Sequence, residues 1–561
     1  MELLVNQLGY ETEGPKRAVC RATERHEFDR FELRDGEDIV FEGTPTFVGP
    51  VADWGDGEWL FWTLDFSAVE TPGEYSLRMG DAVSRRFAIG EDCHAETLLS
   101  DLLYYCKTQR AAGRYDRADH EVPFVGDREG TVDVHGGWYD ASGDMSKYLS
   151  HLSYANYFNP QQVPIVAWGL ADARDRLHEA DHTLGAELDE RLREEIHHGA
   201  DFLCRMQDSA GYFYMTVFDQ WSKDVDRREI CSYETDDGHK TDEYEAGYRQ
   251  GGGVAIAALA RASQVDGPGA FDRETYLETA IDGFDHLEAH NTAYLDDGTE
   301  NVIDDYCALL AATELADATD DERFVEAARD RARSLLDRQR ANDDYDGWFD
   351  ADGDGRPFFH ASDEGLPVVA LLRHREVDAD GPLTADIEAA VERFWTFETE
   401  ITDEVANPFG YPRQYVQAVD EDDPRDSFFI PHENETGYWW QGENARIASL
   451  ATAAARSRTL VDDDLGERLD RFTQDQLNWI LGANPFDVCM VHGVGAPEPT
   501  YHRSFRNVPG GIQNGITAGF ENEDDIAYLP DGVGDDHAHR WRWAEQWLPH
   551  AAWTFLAVSS L

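Results

Sequence analysis

Apolar and polar side chains alternate through residues 1 to about 90. Phe61-Trp62-Thr63-Leu64-Asp65-Phe66 and Glu74-Tyr75-Ser76-Leu77-Arg78 send every second side chain to one face, and Thr71-Pro72-Gly73 supplies a turn between them. This pattern predicts a small β-sandwich over residues 1–92. From about residue 95 the period lengthens. Apolar residues recur at three- and four-residue spacing in 95–112, 164–207, 253–263, 274–290 and 322–340, and further helical stretches cover 385–398, 438–457, 466–481 and 543–560. Roughly a dozen helices without intervening strands exclude a doubly wound α/β sheet. They suit helical hairpins stacked in a ring over residues 93–561, although no exact repeat marks the units. Long Gly/Asp/Pro-rich loops join the helices, and loops on a rigid scaffold are where chemistry concentrates. Three of them, 133–151, 428–446 and 496–547, are rich in aromatics, histidines and carboxylates.

The chain's 561 residues exceed one ordinary core, which agrees with two domains. Charge sharpens the picture further. There are 113 acidic residues against 48 basic ones, a formal net charge of -65, and only Lys16, Lys107, Lys147, Lys223 and Lys240 among the basic residues are lysines. The acidic residues are spread along the whole chain, as expected of a protein kept soluble in concentrated salt, a halophile's signature. Nucleic acid and anionic lipid are disfavoured as partners, because both would be repelled. No run approaches the roughly 18 apolar residues of a membrane span. No basic region followed by an apolar stretch opens the chain, so the expectation is a cytoplasmic protein, or a secreted one whose leader has been removed. Seven scattered cysteines form no C-x-x-C pair, and their ordinary reading is small buried apolar residues.

The first loop reads Asp133-Val-His-Gly-Gly-Trp138-Tyr139-Asp140-Ala-Ser-Gly-Asp144-Met-Ser-Lys147-Tyr148. Paired carboxylates suit hydrolysis, since one takes a proton from water while the other orients it. The aromatic neighbours suit the C–H faces of sugars. Asp144 equally suits the N-cap of a helix starting near Met145, with Asp140 in a turn. Near the C-terminus Glu545 sits among Trp541, Trp543, Trp547 and Trp553. An apolar surround raises a carboxyl's pKa and keeps it protonated as a general acid. The alternative is a helix-surface glutamate beside a tryptophan-rich core stripe.

Tyr501-His502-Arg503 offers donors for sugar hydroxyls, and Trp440 in the middle loop offers a stacking face; both segments equally suit buried polar networks. Asp350-Ala-Asp352-Gly-Asp354-Gly355 has the alternating carboxylates of a calcium loop, but its twelfth position is Ala361, which favours a plain acidic turn. Gly251-Gly252-Gly253 opens a helix without a G-x-G-x-x-G pattern after a strand, so nucleotide binding is disfavoured. G-x-S-x-G does not occur.

Taken together these stretches resemble family 9 glycoside hydrolases, a group that includes many endoglucanases. Val5-Asn6-Gln7-Leu8-Gly9-Tyr10 looks like the opening strand of the immunoglobulin-like domain that often precedes their catalytic domains. His135 to Tyr148 resembles the family's G-G-W-Y-D-A-G-D loop, and Trp543 to Ala551 its closing helix. The resemblance implies an (α/α)6 barrel, with Asp144 as general base, Asp140 helping to hold the water and Glu545 as general acid. It implies substrate contacts from Trp138, Tyr139, Trp440, Tyr501, His502, Arg503 and Trp541. The shared mechanism inverts the anomeric centre, with base and acid about 6.5–9.5 Å apart. No cofactor is required, although family members often bind structural calcium.

One departure is the extra residue in Asp140-Ala141-Ser142-Gly143-Asp144. That form is similar to the exo-β-glucosaminidases, as are Lys147-Tyr148-Leu149-Ser150-His151, Asn434 to Trp440 and Pro509-Gly510-Gly511-Ile512. The expectation is an exo-acting enzyme on glucosamine oligosaccharides, with an endo-β-1,4-glucanase as the alternative. A carbohydrate-binding protein without catalysis is the third reading. An acidic pocket would pair with an amino sugar's ammonium.

Overall fold

The computed structural model describes residues 1–561 apart from 235–237, 438, 439, 503, 506 and 534–536. Ten short strands come first: β1 (Glu2–Leu4), β2 (Gly9–Glu11), β3 (Arg17–Ala22), β4 (Phe31–Asp35), β5 (Asp38–Gly43), β6 (Thr46–Gly49), β7 (Leu60–Asp65), β8 (Gly73–Met79), β9 (Ala82–Val83) and β10 (Phe87–Gly90). One sheet runs β1-β3-β7-β6 and the other β2-β10-β8-β4-β5, with β9 on β8. Alternation does what it predicts: Trp62 and Leu64 from one sheet meet Phe31, Leu33, Tyr75 and Leu77 from the other in a single core.

Fourteen helices follow among the described residues: α1 (Cys93–Gln109), α2 (Gly113–Ala118), α3 (Val163–Glu179), α4 (Thr183–Arg205), α5 (Gly253–Ala262), α6 (Arg273–His290), α7 (Val302–Thr319), α8 (Glu322–Leu336), α9 (Leu366–Val377), α10 (Thr384–Asp403), α11 (Asn444–Ser457), α12 (Asp463–Ile480), α13 (His537–Ala544) and α14 (Leu548–Val558). The helices α3, α5, α7, α9, α11 and α14 pack each against the next and the last against the first, closing an inner cycle. Outside it α4, α6, α8, α10, α12 and α1 cover α3, α5, α7, α9, α11 and α14 in turn.

The helical reading needs three corrections. The 164–207 stretch is two helices, broken where Asp181 takes a left-handed backbone (φ 52°) and His182 caps α4 by accepting from the Leu184 N–H. Helices α7 and α9 carried no legible period, because both lie in the inner ring and are buried on nearly every side. The 543–560 stretch is interrupted at Glu545-Gln546-Trp547, between α13 and α14.

The β-domain is tied to the helices through its opening motif. The Asn6 side chain donates to Asn478 Oδ1 (3.0 Å), and the Gln7 N–H donates to the Leu481 carbonyl (2.8 Å). Arg17 pairs with Asp475, and Trp54 packs among Phe409, Phe428 and Trp479.

Candidate active site

The loop carrying Asp140 and Asp144 and the joint carrying Glu545 are stitched together. Ala141 and Trp547 form an antiparallel bridge. The Ser142 N–H donates to the Gln546 carbonyl (2.8 Å), and the Leu548 N–H donates to the Asp140 carbonyl (3.0 Å). The extra residue of the loop belongs to this seam: Ser142 Oγ accepts from the Gln546 N–H (3.1 Å). Gly143 is required by close approach, since a Cβ there would stand 2.2 Å from Glu545 Oε1 and 2.6 Å from the Tyr501 ring. The break between α13 and α14 thus leaves Glu545 off any helix, contrary to the helix-surface alternative, with its carboxyl lying over the Asp144 loop.

Asp144 caps no helix. Its Oδ1 accepts from the Ser146 N–H (2.8 Å) and its Oδ2 from the Tyr148 hydroxyl (2.6 Å), the next residues forming the short strand Lys147–Tyr148. Asp140 Oδ1 accepts from the Trp547 indole N–H (3.0 Å), and its Oδ2 lies 4.0 Å from His151 Nε2. Both aspartates are buried. One oxygen of each and a ring nitrogen of His151 lie within 4.8 Å of one another. Burial, then the charges of Asp144 and Glu545, push the Asp140 carboxyl well above the usual range, against the Trp547 bond. Burial and the Asp144 charge push Glu545 up to about 8, against Lys223 and the Gly143 backbone. Burial alone pushes His151 down to about 3, leaving it neutral. The site therefore holds a protonated carboxyl at neutral pH beside a bonded carboxylate, the equipment for acid/base hydrolysis.

These groups line a cavity of about 520 Å³. Tyr501 and Trp541 line it as expected, together with Trp221, Lys223, Phe505 and His539, none of which had been singled out as site residues, and with Gln441, Asn514 and Arg542. Asn514 supports the acid directly: its N–H donates to the Glu545 carbonyl (2.7 Å) and its side chain to the Trp541 carbonyl (2.7 Å). The available signal for Lys223 was its type, one of five lysines in an arginine-rich chain.

Four expected contacts are corrected. Trp138 is fully buried, its indole donating to Glu195 Oε2 (3.2 Å) and its ring packed on α4 beside Gly199. Tyr139 exchanges hydrogen bonds with the Ala112 backbone (2.9 and 3.1 Å) and anchors the loop from behind. Trp440 lies one layer behind the wall: the Arg542 guanidinium stands 4.8 Å over its ring and 4.5 Å over that of Trp541. His502 is not among the lining residues and packs on Phe505. Arg503 falls outside the described residues.

Metal-capable groups are few among the described residues. In the 350–355 loop Asp350 Oδ1 accepts from the Asp352, Gly353 and Gly355 N–H groups (3.2, 2.7 and 3.4 Å), and Oδ2 pairs with Arg340 (3.1 Å), so the leading carboxylate is engaged as in an acidic turn. His120, Asp133 and His135 form a surface cluster whose ligand atoms lie within 4.8 Å of one another. No helix is long and apolar enough to cross a membrane among the described residues.

Comparison with known proteins identifies the family. Residues 96–514 match the profile of glycosyl hydrolase family 9, and residues 1–84 that of the cellulase N-terminal Ig-like domain. A xyloglucan-specific endo-β-1,4-glucanase of Bacteroides ovatus is 33% identical over 191 residues, 29% of this chain and 32% of that protein. The chain thus matches about a third of that relative's length. Solved structures of a Bacteroides ovatus GH9 protein and a metagenome-derived family 9 endoglucanase each align over 100% of this chain and 99% of theirs, with TM-scores of 0.67 at 19% and 18% identity. A thermostable endoglucanase of Alicyclobacillus acidocaldarius aligns as fully, with a TM-score of 0.64 at 19% identity. At these identities the structures establish likeness of fold.

Proposed function

Because the chain belongs to glycosyl hydrolase family 9, we propose that it is an endo-β-1,4-glucanase that cleaves by inversion. The observation that carries the reading is the seam that sets Glu545 over the Asp140–Asp144 loop inside one aromatic-lined cavity. Asp144, its carboxylate held by Ser146 and Tyr148, serves as the general base. Asp140 orients the attacking water beside it. Glu545 donates its proton to the leaving glycosidic oxygen. The closed inner cycle of helices and its outer partners support an (α/α)6 barrel.

The endo reading takes the place of the exo-glucosaminidase expectation: the xyloglucan-specific relative and two of the solved structures are endoglucanases, and Lys223 lines the cavity where an amino sugar would want a carboxylate. The Ser142 insertion, the departure that opened the exo reading, has a structural task of its own in its hydrogen bond to Gln546. The test is hydrolysis of cellooligosaccharides and glucosamine oligomers of equal length in high salt, which the net charge of -65 calls for. Mixed short products of inverted anomeric configuration from the cellulose series are expected. Release of single glucosamine units from the other series alone would replace the endo reading with the exo one.

A further inference from the structure

Lys223 stands out among the cavity's groups. Its Nζ is buried, has no hydrogen-bond partner among the described residues and lies 3.0 Å from the centre of the Phe505 ring. An ammonium carries three donors, and leaving them unmade in a buried place is costly unless a ligand completes them. The backbone that presents it is held in an unfavourable form. Gln220, Trp221 and Lys223 all take left-handed φ angles (58°, 52° and 59°), which residues with a Cβ avoid. The surroundings enforce that shape. The Lys223 carbonyl accepts from Arg114 and from the Tyr115 hydroxyl (3.2 Å each), Ser222 Oγ donates to the Asp219 carbonyl (2.6 Å), and Trp221 packs edge-on against Phe218 and Tyr233.

The charges facing Lys223 are those of Asp144, Glu545 and Asp219, none of which hydrogen-bonds to it. A sugar in this cavity therefore meets a cation on the same wall as Trp221. Hydroxyl and ring oxygens of a neutral hexose offer that cation lone pairs. A sugar bearing an ammonium offers it a like charge instead.

We propose that Lys223 reads the charge of the sugar in the cleavage cavity, donating to oxygen atoms of a neutral hexose and repelling an amino sugar. This rests on reading the cavity as the saccharide site. It makes Lys223 a specificity residue, with Trp221 and Phe505 fixing where its ammonium lies.

Binding of cellotetraose and of the fully deacetylated glucosamine tetramer, followed at pH 6 by tryptophan fluorescence, tests it in the wild type, K223M, K223R and K223E. The wild type should bind the neutral tetramer at least about tenfold more tightly. K223M should lose most of that preference, K223R should keep it and K223E should invert it. Thermal melting of K223M alongside separates a lost contact from a lost fold. A wild type that prefers the glucosamine tetramer overturns the proposal, as does a preference that stays the same in a folded K223M. If the preference behaves as expected but neither tetramer is cleaved, it is the hydrolytic reading that fails, not the role of Lys223.

Discussion

The C-terminal ends of the inner helices and the cleavage cavity hold buried carboxyls in opposite electrostatic states. Near the C-terminal ends, Glu314 of α7 receives Arg261 of α5 and Arg373 of α9 (2.8 and 2.9 Å) and the Trp168 indole of α3 (2.8 Å). Asp172 of α3 receives Arg176 (3.0 Å) and Arg456 of α11. Burial opposes ionisation there, yet the arginines outweigh it, holding Glu314 near 2 and Asp172 below the usual range. In the cleavage cavity, burial meets no such company. Asp140 has one indole donor and Glu545 has Lys223 at longer range, so both rise. The comparison teaches that depth alone does not set a carboxyl's state. Delivered cations make the first place a clamp, and their scarcity makes the cavity reactive.

The contrast breaks first at Glu545. Replacing it with Gln removes the proton donor while keeping shape, and kcat on cellooligosaccharides should fall about 10²–10⁴-fold with an unchanged circular dichroism spectrum. Activity near wild type would remove Glu545 from the mechanism. In the clamp, Glu314→Ala removes the buried carboxylate that Arg261 and Arg373 share and should cost about 3–5 kcal/mol of stability, read by chemical denaturation, with kcat/KM of the folded fraction unchanged. A loss much below 1 kcal/mol would mean that the clamp is not one.

The pH dependence sharpens the comparison. Glu545 acts while protonated, so kcat/KM should decline as pH rises through about 8. Its folded pKa lies above its unfolded value, as do those of Glu364 (about 7) and Asp363 (about 6). The stability these three contribute is complete below about 4 and is lost as pH rises through about 6 to 8. Glu314 has the opposite sign: its contribution is present above about 4.3 and is lost as pH falls through about 2. Melting temperature against pH should therefore fall from pH 5 to 8 in the wild type, with a shallower slope in E545Q. Parallel slopes would show that Glu545 ionises in the folded protein much as it does unfolded. The smallest effect expected is that of Trp547→Phe. It deletes one hydrogen bond to Asp140 and should cost about tenfold in kcat, in keeping with roughly 1–1.5 kcal/mol for a single bond. Crystallography of this variant would show whether Asp140 keeps its rotamer.

Much of this was legible in local pattern. The change from period two to period 3.6 marked the two regions, and Asp140, Asp144 and Glu545 could be named from their neighbours. What failed to show had a common cause. Helices α7 and α9 are apolar around their circumference, so no stripe announced them. Trp138 and Trp541 both stand beside carboxylates in sequence, yet one faces the core and the other the cavity. Lys223 follows a strand in a segment with no motif, and its role exists only where Phe505, Asp144 and Glu545 converge on it.

The sequence by itself determined which side chains are present, the periods that drive strand and helix, and an acidic surface set by composition. Only the tertiary structure decided which carboxyls would meet arginine and which would meet each other. It alone joined Asp140 to Trp547 across 407 residues of chain. Burial and the distance between charges depend on how distant segments pack, and those two quantities set the proton affinities on which the site's chemistry rests.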